Sequence, residues 1–227
     1  MKIVLFAPHG DDEIYAAGGT LLKWLDEGHD VHIIYVTDNR VWLEWGIKEG
    51  TLIEENAKPY MKLSGEEMAQ ICIKESKEVI KALDISEKNV HFYKFPDQEA
   101  KNNIELGISL SKEIIKNADR IVMPSDNNNH VDHQATHIIA KRAAQELNLK
   151  NIEYYVYALY NILKAPNEKQ IKIPIKKFRE KKYEIMKLYK TQLCLEDMDL
   201  GWKNFKFKRF ERFGVFNFKD MGKYENF

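Results

Sequence analysis

Only two cysteines, Cys72 and Cys194, occur in the 227 residues. They are too few for a disulfide framework and lack Cys-x-x-Cys spacing, so they read as reduced packing residues. Net charge is equally scarce, since 35 basic residues balance 35 acidic ones. No global field favours nucleic acid or an acidic partner. No apolar run approaches the roughly 20 residues that span a bilayer, and no basic segment followed by an apolar one marks a signal peptide. These absences predict a cytoplasmic protein with no membrane partner. Repeats and low-complexity tracts are also missing, which argues against solenoids and arrays. What remains is a chain 44% apolar, long enough for one substantial core and a small appended lobe.

Strand-like and helix-like stretches alternate over the first 160 residues. Strands are expected at Lys2–Phe6, Val31–Val36, Val90–Phe95, Arg120–Met123 and Tyr154–Leu159. Helices are expected at Tyr15–Glu27, Glu66–Leu83, Leu106–Lys116 and His133–Leu147. A long polar segment, Thr37 to about Gly65, interrupts them and carries Trp42, Trp45 and Tyr60. This order predicts an α/β fold: a Rossmann-like, mostly parallel sheet with helices on both faces, spanning residues 1–160. Residues 161–227 predict a C-terminal extension packed on the same domain, with an edge strand near Lys164–Ile175 and a lysine-rich helix over Lys176–Gln192. From Trp202 to Phe218 aromatic and basic residues alternate (Phe205, Phe207, Phe210 and Phe213 among Lys203, Lys206, Lys208, Arg209 and Arg212). Period-two alternation fits an edge strand with one wet face better than a nucleic-acid surface.

The chemistry concentrates in two clusters. Pro8-His9-Gly10-Asp11-Asp12-Glu13 follows the first strand and opens the first helix. Three carboxylates there repel one another unless protons, bases or a metal offset the charge. Histidine and aspartate three apart can converge on one ion, and that donor pair suits zinc. Gly10, Gly18 and Gly19 do not make the Gly-x-Gly-x-x-Gly of a dinucleotide site, and a phosphate would meet carboxylates at this helix start. Gly18-Gly19 reads instead as a close approach of helix to sheet. The second cluster, His130-Val131-Asp132-His133, follows the fourth strand after the polar loop Ser125–Asn129. Both clusters fall on one rim of the sheet, where they are expected to meet around one metal. His137 lies four residues after His133, but Gln134 replaces the glutamate of a zincin helix, so His137 reads as a packing residue.

Ala7-Pro8-His9-Gly10-Asp11-Asp12-Glu13 resembles the signature of the LmbE-like, PIG-L-type N-acetylglucosamine deacetylases, usually Ala-His-Pro-Asp-Asp-Glu. Here proline precedes the histidine and glycine takes the usual proline position. His130-Val131-Asp132-His133 resembles the family's second motif, His-x-Asp-His. The resemblance covers roughly Met1 to Ala144 and implies His9, Asp12 and His133 as zinc ligands, with iron(II) or cobalt also compatible. It implies Asp11 as general base toward the attacking water, and Glu13 supporting the ligands from behind. His130 would stabilise the oxyanion and protonate the leaving amine, and Asp132 would orient one of these imidazoles. Phe95-Pro96-Asp97 resembles a further family turn; Asp97 reads equally as a contact to a sugar hydroxyl and as a cap. Arg40 would hold an anionic aglycone or only a surface salt bridge. Glu75 through Ala82-Leu83-Asp84-Ile85 resembles the family's helix ending in leucine-glycine, but Asp84 stands where glycine is usual and Cys72 where arginine is frequent. Trp42, Trp45 and Tyr60 either stack on a sugar ring, line a homo-oligomer contact, or pack against the core.

The resemblance thus implies hydrolysis of an N-acetyl group from a small-molecule amino sugar or conjugate. The alternatives are a metal-dependent amidase on another amide, and a non-catalytic zinc- or carbohydrate-binding protein.

Overall fold

The computed structural model describes residues 1–159, 162–196 and 208–221. A seven-stranded sheet runs through it. Strands β1 (Lys2–Ala7), β2 (Asp30–Thr37), β3 (Val90–Phe95), β4 (Arg120–Pro124) and β5 (Glu153–Tyr157) are mutually parallel. The sheet order is β3-β2-β1-β4-β5, extended by β7 (Phe210–Phe216) and then β6 (Gln170–Pro174), both paired antiparallel. The helices are α1 (Asp12–Asp26), α2 (Trp42–Glu49), α3 (Glu54–Ala57), α4 (Gly65–Leu83), α5 (Ile104–Ile115), α6 (Val131–Glu146) and α7 (Arg179–Met186).

Strand alternation divides the core in two. Ile3, Leu5, Val31 and Ile33 face α1, α4 and α7, meeting Leu21, Met68, Val79 and Ile185. Val4, Phe6, Ile34 and Val36 face α5 and α6, meeting Ile108, Ile139 and Ala143. Successive residues of a strand point to opposite faces, so a sheet covered on both sides needs an unbroken apolar run, as in β1. Helix α4 starts on a Ser64–Glu67 capping box and stops at Asp84, whose φ of 63° is left-handed. That is the conformation glycine usually supplies at a helix stop, so the aspartate keeps the turn at some backbone cost.

Four expectations need correction. The segment Thr37–Gly65 is not one loop: Trp42, Leu43 and Gly46 are buried at helical spacing and build α2. The lysine-rich helix is shorter than Lys176–Gln192. It ends at Met186, beyond which the chain turns so that Tyr189 and Thr191 reach the buried carboxylates of Glu13 and Glu75. The aromatic-basic strand is internal, because β7 lies between β5 and β6 and the edge is β6. Of that stretch, residues 202–207, with Lys203, Phe205, Lys206 and Phe207, lie outside the described residues. Lastly, Gly19 admits the C-terminal segment rather than the sheet: a Cβ there would stand 2.7 Å from Cβ of Ile175.

The same C-terminal segment inserts an ion pair into α1. Lys182 Nζ donates to Glu211 and to the carbonyl of Tyr15, each at 2.8 Å. The Glu211 carboxylate in turn accepts the backbone N–H groups of Gly19 (2.9 Å) and Thr20 (2.7 Å). The pair thus ties β7 and α7 to the helix that carries the first cluster.

Candidate active site

The two clusters sit at the point where the strand order reverses. β1 and β4 are neighbours, yet their following helices, α1 and α6, lie on opposite faces of the sheet. The chain therefore leaves the two strand ends in opposite directions and opens a crevice at their carboxyl ends. His9–Asp12 enters it from β1, and Asn128–His133 enters it from β4.

Asp12 bridges the clusters. Its Oδ2 accepts the His9 backbone N–H (2.9 Å) and lies 3.2 Å from His9 Nδ1 and 3.4 Å from His133 Nε2. The other His9 nitrogen, Nε2, lies 3.2 Å from Asp97 Oδ1 and 3.3 Å from Asp132 Oδ2. Burial works against a charge on His9, but Asp97, Asp12 and Asp132 outweigh it and raise its pKa. Asp132 is fixed in turn by the backbone N–H groups of Gln98 (2.6 Å) and Ala100 (3.0 Å). Burial opposes its charge, yet His9 and those two amides hold its pKa low. The sequence assigned Asp132 to His130 or His133. Its close imidazole is instead His9, with His130 Nδ1 4.0 Å away, because the Gln98 and Ala100 amides draw the carboxylate across the crevice.

Two donor groups close to within 4.8 Å: His9, His130 and His133, and His9, Asp97, His130 and Asp132. His133 is buried and its pKa is pushed down to about 4, chiefly by that burial. Asn128 steadies this side. Its Oδ1 accepts the His130 N–H (2.8 Å), and its Nδ2 donates to the Leu159 carbonyl (3.0 Å) and lies 3.2 Å from His133 Nδ1. His137 stands apart, its Nδ1 donating to the Pro124 carbonyl at 2.9 Å.

Asp11 occupies the N-cap position of α1 but makes no side-chain cap, and its φ is 121°. Strain of this kind concentrates where a side chain must be aimed for function. Burial, with Asp12 and Glu13 beside it, raises the Asp11 pKa well above the usual carboxylate range. Gly10 makes the turn possible: a Cβ there would lie 2.2 Å from Ser76 Oγ on α4. Glu13 holds the turn from below, accepting the Asp11 N–H (3.1 Å) and the Tyr189 hydroxyl (2.6 Å). Nothing in the sequence linked Tyr189 to residue 13, since 176 positions separate them. Asn128 carried only the weak signal of three consecutive asparagines before His130.

A cavity of about 490 Å³ opens over this cluster. His9, Asp11, Asp12, Asp97, His130 and His133 line its floor. Arg40 does not line it. Its guanidinium is committed to Asp38 (2.5 and 2.8 Å) and Glu66 (3.3 Å). Asp97 does line it, while its Oδ2 accepts the Val41 N–H at 3.1 Å. Trp42 is buried edge-on against Tyr60, whereas Trp45 stays partly exposed; both border the cavity.

Glu13 yields a pH prediction. Burial raises its pKa to about 7, so between about 4.5 and 7 the native state holds a proton that the unfolded chain releases. Glu13 therefore makes metal-free protein less stable as pH rises through that window. His133, with its lowered pKa, pushes the other way between about 4 and 6.5. The readout is the difference: denaturant midpoints of Glu13→Gln should fall less steeply than wild type between pH 5 and 7, the remaining fall belonging to Asp11 and His9, whose pKa values are also raised. Parallel pH profiles for the two proteins would remove Glu13 as a source of the fall.

The family model described as GlcNAc-PI de-N-acetylase, PIG-L, matches residues 4–144, and the chain belongs to that family. Its fold is shared with N,N'-diacetylchitobiose deacetylase from Pyrococcus horikoshii (TM-score 0.74, 21% identity, covering 97% of this chain and 85% of that one). It is shared also with the zinc-inhibited form of teicoplanin deacetylase (0.70, 13%, 97% and 100%). A hydratase of 4-carboxy-2-hydroxymuconate from Pseudomonas putida has the same architecture (0.62, 12%, 94% and 94%), so the fold by itself does not name a reaction. Over 40 residues the chain is 38% identical to a glucosamine-6-phosphate deaminase-like protein of Bacteroides thetaiotaomicron; the match spans 18% of this chain and 6% of that one. Among the described residues, no helix is long and apolar enough to cross a membrane.

Proposed function

We propose that this protein is a metal-dependent N-deacetylase that removes the acetyl group from an N-acetylglucosamine-type amino sugar or conjugate. One observation carries the reading: Asp12 Oδ2 stands 3.2 Å from His9 Nδ1 and 3.4 Å from His133 Nε2. Two ligands of a tetrahedral zinc, each bound at about 2.0–2.1 Å, are separated by roughly 3.3 Å. Asp12 thus stands at ligand spacing from each of the two histidines, while His9, Asp12 and His133 together are not one of the groups that close to within 4.8 Å; two imidazoles with one carboxylate suit zinc, iron(II) or cobalt. With Nδ1 used for the metal, His9 keeps Nε2–H for Asp132 and Asp97, the carboxylate–histidine support that fixes a ligand's tautomer. This favours His9, Asp12 and His133 over the sets containing His130.

A divalent metal held there acidifies water and polarises the amide carbonyl. Asp11, on the cavity wall with a raised pKa, takes the proton of the attacking water. His130, facing the same cavity, hydrogen-bonds the oxygen that becomes negative and, when protonated, gives the leaving nitrogen its proton. The carbon–nitrogen bond breaks, and acetate and a free amine leave. Asp132 keeps His9 oriented rather than touching substrate. The test is free-amine release from a panel of N-acetylated amino sugars and glycosides. Release is expected from at least one member and is lost in His133→Ala along with bound metal; release that persists in metal-free His133→Ala would remove the assignment.

A further inference from the structure

The cavity has a second character besides its acidic floor. Val41, Trp42, Trp45 and Leu195 form an apolar wall, and Gln98, Asn129 and Gln192 contribute amides. Among the described residues, no lysine or arginine lines it. Arg40, next to Val41 in the chain, is held by Asp38 and Glu66. An anionic aglycone at this wall would lose hydration to indole rings with no lysine or arginine among the described lining residues to replace it. A neutral ring system would instead cover Trp45, which is 38% exposed in the free protein, and gain from both area and ring geometry.

Building on the deacetylase reading, we infer that the substrate is a neutral N-acetyl amino-sugar glycoside whose aglycone is aromatic or otherwise apolar, seated on the Trp42–Trp45 wall. The acetamido group goes to the His–Asp floor, the sugar hydroxyls to the amides, and the aglycone to the indoles. Phosphorylated or carboxylated conjugates are rejected.

The experiment has two arms. Calorimetric titration uses phenyl 2-acetamido-2-deoxy-β-glucoside, its 4-carboxyphenyl analogue and free N-acetylglucosamine. Amine release is then measured on the same compounds with zinc-reconstituted protein, adding N-octanoylglucosamine. The phenyl glycoside is expected to bind at least tenfold tighter than either the free sugar or the carboxyphenyl analogue, with kcat/KM in the same order. In Trp45→Ala the preference for phenyl over free sugar should shrink to within about threefold. Equal binding of the phenyl and carboxyphenyl compounds overturns the inference, as does a preference indifferent to Trp45→Ala. A preference for the octanoyl amide without any aglycone effect also overturns it, assigning the wall to the acyl chain. If the calorimetric preference holds but no compound releases amine, the deacetylase reading fails while the recognition of neutral apolar glycosides stands.

Discussion

Asp11→Asn should lower amine release by about 10²–10⁴-fold while metal affinity stays within a few-fold of wild type. The two readouts separate because Asp11 and Asp12, though adjacent, face different tasks. Asp12 Oδ2 is engaged with both His9 and His133, whereas Asp11 lines the cavity and caps nothing. Asparagine preserves the shape and tolerates a positive φ better than most residues, so the turn at 121° survives and only the proton acceptor is lost. Activity within tenfold of wild type would move the base elsewhere. A parallel loss of metal would make Asp11 a ligand instead.

The second large effect is on stability. Glu211→Ala should destabilise the fold by about 3–5 kcal/mol, because it strands the Lys182 ammonium in a buried site. Both side chains are only 2% exposed. The loss also removes the acceptor that Glu211 offers to the Gly19 and Thr20 N–H groups in the middle of α1. For a chain of this size the melting temperature should fall by on the order of 10 °C. Lys182→Met combined with Glu211→Gln should recover part of that, since no charge is then left unpaired and the glutamine oxygen can still accept from the helix. A loss below about 1 kcal/mol for Glu211→Ala would mean that water reaches the pair.

The sheet was legible because its code is local. β1 is a continuous apolar run, β2 is one broken only by His32, and α4 shows Met68, Ile71, Cys72, Val79 and Leu83 at roughly helical spacing. The convergence of the two clusters was legible for a topological reason: both follow strands, and parallel strands end on one rim. What escaped depends on distance in sequence. The Tyr189–Glu13 and Lys182–Glu211 contacts join segments that share no pattern, and a lysine-rich stretch gives no hint that one of its lysines is buried. The partner of Asp132 escaped because it was chosen by backbone amides at Gln98 and Ala100, which leave no side-chain trace. Arg40 was read as either an anion contact or a salt bridge, and its ion pairs with Asp38 and Glu66 are the second of these.

The most direct test of the central claim, that His9–Glu13 and His130–His133 form one metal-dependent deacetylase site, is a zinc titration of metal-stripped protein. Bound zinc and amine release from an N-acetylated amino-sugar glycoside are followed in the same samples. The account predicts that both rise together and level off at about one zinc per chain, and that Asp12→Asn loses both. Amine release at full strength in stripped protein, or zinc bound with undiminished affinity by Asp12→Asn, would contradict it.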